Sequence, residues 1–169
     1  MRIAQASISE NGTIDGKAGN QNGKELNIAP LTKGKWNKII RFKYLDLAYY
    51  ASIIAQAGVD NKRIGYSQFK RNSLWKEAKR VKSLGKINVN TSCDCSSFIS
   101  VVVNLAHYAR FKRWLPNYNI DFNACTTSNI AKKLYATGLF VVLDFDLKEC
   151  KLGDIVVAEG KHTAIIVKE

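Results

Sequence analysis

The run Cys93-Asp94-Cys95-Ser96-Ser97-Phe98-Ile99-Ser100-Val101-Val102-Val103-Asn104-Leu105-Ala106-His107-Tyr108-Ala109-Arg110 admits two readings. Phe98, Ile99, Val101, Val102, Val103 and Leu105 nearly erase any periodicity, and three consecutive valines favour a strand. Length decides otherwise, because a continuous run above about ten residues exceeds the usual strand. The sequence therefore predicts a buried helix over Ser96 to Arg110, opened by small polar residues. A cysteine at that opening faces unpaired backbone N–H groups and the positive end of the macrodipole, which favour thiolate over thiol. Cys95 is thus a candidate nucleophile; the competing reading is an inert, buried cysteine.

Upstream, Leu45, Tyr49 and Ile53 recur at four-residue spacing, predicting a helix over Tyr44 to Ala57 that Gly58 stops. Trp75, Ala78 and Val81 form one face of a second helix over Gln68 to Leu84, with Lys76, Lys79, Arg80 and Lys82 on the rest. Residues 1 to 43 read as β-rich: Ile3 to Ile8 and Ile39 to Phe42 flank the turn-forming pairs Asn11-Gly12, Asp15-Gly16 and Asn22-Gly23. Downstream, a short helix over Thr127 to Thr137 ends at Gly138. Three strands follow, Leu139 to Leu143, Asp154 to Ala158 and Thr163 to Val167. The order predicts an α+β fold rather than a wound parallel sheet.

A chain of 169 residues fits one compact domain, residues 1–169. Twenty-six basic residues against 14 acidic give a net charge of +12, which attracts polyanions: nucleic acid, anionic lipid or anionic wall polymers. Met1 to Ser9 lacks a signal-peptide core, and no stretch approaches the roughly 20 apolar residues of a membrane helix, so synthesis in the cytoplasm without membrane insertion is expected. Cys93, Cys95, Cys125 and Cys150 are too few and irregular for a disulfide scaffold. Cys93 and Cys95 alone make neither a zinc site nor a C-x-x-C redox pair.

A thiol that needs a base has two histidines to choose from. His107 lies twelve residues past Cys95 in the same helix, about 18 Å along it at roughly 1.5 Å per residue, and cannot reach the thiol. His162 follows the turn Glu159-Gly160-Lys161 and opens an apolar strand that can face the helix start.

These pieces, Asp94-Cys95-Ser96-Ser97, then Lys151-Leu152-Gly153-Asp154-Ile155-Val156, then His162-Thr163-Ala164-Ile165-Ile166-Val167, resemble the papain-fold cell-wall peptidases of the NlpC type and the related CHAP amidases. Upstream, Gly19-Asn20-Gln21-Asn22-Gly23-Lys24-Glu25 and Gly65-Tyr66-Ser67-Gln68-Phe69-Lys70-Arg71 resemble the G-D-Q-T-G-K-E and G-Y-D-Q-x-x-R segments of endolysins from phages of Gram-positive hosts. The resemblance implies a papain-like core, in its ordinary or a partly permuted order, with the nucleophile helix packed on an antiparallel sheet. It implies a peptidoglycan hydrolase with Cys95 as nucleophile and His162 as base, cutting an amide of the wall peptide, with an endopeptidase favoured over an N-acetylmuramoyl-L-alanine amidase. No cofactor or metal is implied, and the protein is expected to act as a monomer on peptidoglycan and anionic wall polymers.

Two departures stand out. Asn20 and Ser67 replace aspartates, and the chain ends seven residues after His162, where the NlpC type carries a third polar residue about a dozen positions on. The imidazole's orienting group must come from elsewhere, and Gln21 is the candidate, with Glu25 the alternative. Tyr66, Asp94 and Ser96 are candidates for lining the substrate cleft. Two other readings remain open at this level. One is a basic nucleic-acid-binding domain with Trp36, Trp75 and Trp114 as stacking residues. The other is a catalytically inactive wall-binding module or a thiol transferase on the same scaffold.

Overall fold

The computed structural model describes residues 1–116, 118 and 125–168. The fold is α+β, as expected. Six strands, β1 (Arg2–Ala6), β2 (Leu26–Pro30), β3 (Lys38–Phe42), β6 (Phe140–Asp144), β7 (Ile155–Ala158) and β8 (His162–Lys168), form one sheet in the order β2-β1-β8-β7-β3-β6. Every neighbouring pair is antiparallel. The first and last strands lie side by side, with Ile3 opposite Ile166 and Ala4 opposite Ile165. Two short strands missed by periodicity, β4 (Ile64–Tyr66) and β5 (Thr91–Cys93), pair in parallel. At three residues each they are too short to show alternation.

Apolar residues alternate between two cores. Ala4, Ala6, Ile40, Phe42, Ile155, Val157 and Ile165 meet the helices, while Ile3, Ile39, Val156, Ala164 and Ile166 turn to the other face, which Leu31, Trp36 and Cys150 cover. Burial on both faces is why these strands read as continuous apolar runs rather than alternating ones.

The predicted buried helix is α3 (Cys95–Phe111), whose residues from Cys95 to His107 are all buried. The helix α1 (Leu45–Asp60) forms where expected but presents the opposite side. Leu45, Tyr49 and Ile53 are exposed, and the buried face is Leu47, Ala48, Ala51, Ser52, Ala55, Gly58 and Val59. Small residues on that face let the α1 backbone approach closely. Gly58 does not stop the helix; a Cβ there would meet Leu84 Cδ1 at 2.8 Å and Phe98 Cε2 at 2.9 Å. Its role is packing against α3.

The helix α2 (Asn72–Val81) is shorter than predicted, ending at Lys82 in the left-handed conformation, φ 57°. Residues 68–71 instead form the turn that delivers Arg71 to the interior. Lys76, Lys79 and Arg80 are exposed, as the basic face requires. The last helix, α4 (Ile130–Ala136), starts three residues later than expected. Among the described residues no helix is long and apolar enough to cross a membrane.

Candidate active site

Asp94 caps α3. Its carboxylate accepts the Ser97 N–H at 2.8 Å while Ser97 Oγ accepts the Asp94 N–H at 2.9 Å, a reciprocal capping box. The same carboxylate pairs with Arg71 Nε at 3.0 Å, and Arg71, itself buried, donates to Ser96 Oγ and to the Cys125 carbonyl. Two links of this chain, Asp94 and Ser96, are expected cleft residues. In the fold they lock the helix start, and Ser96 Oγ also donates to Asp94 Oδ1 at 3.2 Å. Arg71, last residue of the Gly65–Arg71 segment, is the partner that sequence reading left without a role.

Cys95 is the first residue of α3, and its Sγ lies near enough to the backbone N–H groups of Thr163 and Ser96 for both to favour the thiolate. Thr163 directly follows His162 on β8, so the thiol from the helix meets the strand that carries the imidazole. Among the described residues no hydrogen bond links Cys95 to His162; the imidazole's partner is Gln5, whose Oε1 lies 2.7 Å from Nε2. Trp36 packs against the same ring, centroids 5.7 Å apart. Because Gln5 Oε1 is an acceptor, Nε2 carries the proton and Nδ1 is left with its lone pair.

Both groups rest uncharged. Burial, reinforced by the Asp94 charge, pushes the Cys95 thiol up to about 12, against the weaker pull of the Thr163 and Ser96 N–H groups and of Arg71. Burial and then the nearby Lys35 ammonium bring His162 down to about 4. The expectation of a resting thiolate is corrected here: the helix start supplies stabilising N–H groups, but desolvation and a carboxylate one residue away outweigh them.

Gln21 and Glu25 do not reach the imidazole. The fully buried Glu25 carboxylate accepts the N–H groups of Gln21 (2.6 Å) and Asn22 (3.4 Å), and Gln21 Nε2 donates to the carbonyls of Ala18 and Gly19. They shape the loop before β2. That loop lies flat on β4, where any side chain at Gly65 would collide with the Gly19 backbone, and so backs Tyr66. Tyr66 is buried beside the thiol; its hydroxyl accepts from Gln68 Nε2 at 3.2 Å, and burial raises it to about 12. Ser67, standing where an aspartate was expected, donates to Asp15 Oδ1 at 2.6 Å, so a carboxylate reaches this point from another segment.

Other motif residues are architectural. Gly153 has φ 81°, and a Cβ there would strike the Ala48 backbone. Asp154 holds Arg41 through two contacts, at 2.9 and 2.7 Å. His107 is buried and bonded through Nδ1 to the Arg113 carbonyl. Of the tryptophans weighed as stacking platforms, Trp36 is buried against His162, while Trp75 and Trp114 pack on each other edge to face. Gln5 itself had one sequence signal, as the lone amide in the otherwise apolar and small stretch Ile3 to Ala6.

The fold and site define an α+β protein in which a cysteine at a helix start lies against the strand that carries a histidine held by a glutamine. The chain belongs to the endolysin-like domain family, whose model matches residues 3–169. Membership points to a lysis-related role at the bacterial wall. Among curated proteins and solved structures, nothing matches the chain.

Proposed function

We propose that the protein is a cysteine peptidase or amidase of bacterial peptidoglycan, with Cys95 as nucleophile, His162 as base and Gln5 as the group that orients the base. The observation that carries this reading is the arrangement of the thiol against the Thr163 backbone, next to a histidine whose Nε2 is already bound by Gln5. Only Nδ1 is free to take the thiol proton. Sγ attacks the amide carbonyl as that proton passes to Nδ1, the Cys95 N–H at the helix start steadies the oxyanion, and the imidazolium returns the proton to the leaving amine. Water, activated by the neutral imidazole, then releases the thioester. Starting from a neutral pair, proton transfer accompanies attack rather than preceding it.

The papain-like order of the NlpC type fits this arrangement in permuted form. β1 occupies the place beside β8 from which a later strand would supply the third residue, and Gln5 comes from it. An endopeptidase is favoured over an amidase on the resemblance alone, and the basic surface would hold the enzyme on anionic wall polymers. The test is incubation with purified Gram-positive sacculi and mass analysis of the released fragments. Wild type is expected to release peptides with new amino termini and Cys95→Ala none; equal release by both sinks the thiol mechanism. Fragments cut between the muramoyl group and alanine select the amidase.

A further inference from the structure

The amide of Gln5 could face His162 with either end, and only one end makes a base. With Oε1 toward the ring, Nε2 of the imidazole holds the proton and Nδ1 can accept; with the amide reversed, the proton is driven onto Nδ1. The other end of Gln5 meets Asn27, its direct cross-strand partner in the β1–β2 ladder. Gln5 Nε2 donates to Asn27 Oδ1 at 3.0 Å, and Asn27 Nδ2 donates to the Lys24 carbonyl at 3.0 Å. A backbone carbonyl can only accept. It therefore fixes which way Asn27 faces, Asn27 fixes Gln5, and Gln5 fixes the tautomer of His162.

We propose that Asn27 is a positioning residue that reads the polarity of the Lys24 carbonyl and passes it through Gln5 to set the proton on Nε2 of His162. This rests on the Cys95–His162 reading above. Asn27 touches no reacting atom and is half-exposed on an edge strand, so its replacement leaves the fold intact. The experiment compares wild type, Asn27→Leu and Asn27→Asp by the imidazole ¹⁵N shifts of His162 at neutral pH and by release of peptides from purified sacculi. Leucine removes the acceptor and frees Gln5 to rotate; a mixed tautomer population is expected, with kcat down roughly tenfold at unchanged KM, the scale of losing an outer partner of a functional imidazole. Aspartate offers Gln5 only acceptors, so the wild-type tautomer and most of kcat should return. An unchanged tautomer in Asn27→Leu, or equal losses in both variants, overturns the proposal. Undiminished release by Cys95→Ala defeats the thiol mechanism instead, and the ¹⁵N shifts are read independently of it.

Discussion

At the scale of single residues, the site is governed by burial more than by charge pairing. A thiol held at about 12 and an imidazole at about 4 leave both groups neutral across the range where enzymes usually work. Such a thiol should alkylate slowly with iodoacetamide near pH 7, its rate rising tenfold per unit toward alkaline pH without the acid-side plateau of a thiolate–imidazolium pair. A rate that is already flat between pH 5 and 8 would show the ion pair instead. Stability follows the same signs. The unfolded chain protonates His162 from its ordinary value of 6.5, the folded one only near 4, so this residue's contribution is lost as pH falls through that window. Cys95 was legible in the sequence because a helix start announces itself locally. Its protonation was not, because desolvation depends on what the fold stacks above it.

Among the elements, the helices and strands were largely legible, and the errors share a cause. Period alone located α1, but it could not say which of two plausible faces meets the core, and the larger side chains are the ones left outside. Between Leu47 and Val59 the buried side is built of alanines, a serine and Gly58, which serve closeness rather than bulk. Gly58→Ala tests this. Helix propensity favours alanine by about 1 kcal/mol, whereas forcing a methyl between the fully buried Leu84 and Phe98 costs about 1–3 kcal/mol. A net loss of about 1 kcal/mol in urea unfolding is expected, and a gain would mean the contact relaxes freely. Arg71 shows the opposite limit of sequence reading: an arginine in the first turn of an expected helix with a basic outer side gives no sign that it is buried against Asp94.

Across the whole molecule, the Gln5–His162 contact was illegible because it depends on a pairing between residues near opposite ends of the chain. Nothing near Gln5 in sequence mentions His162; only the β1–β8 ladder joins them. The net charge of +12 also acts at this scale. If it concentrates the enzyme on anionic walls, retention on sacculi should fall several-fold between 50 and 500 mM salt as the Debye length shortens, and retention that ignores salt would point to a stereospecific wall contact instead. The β1–β8 ladder carries a further consequence, for timing. A ribosome that has released only the first 150 residues has delivered Cys95, its capping box and the buried Arg71, but neither β7 nor His162 and the β8 strand that carries it. On the thiol mechanism such a chain is inert, and hydrolytic competence arrives only when β8 closes between β1 and β7.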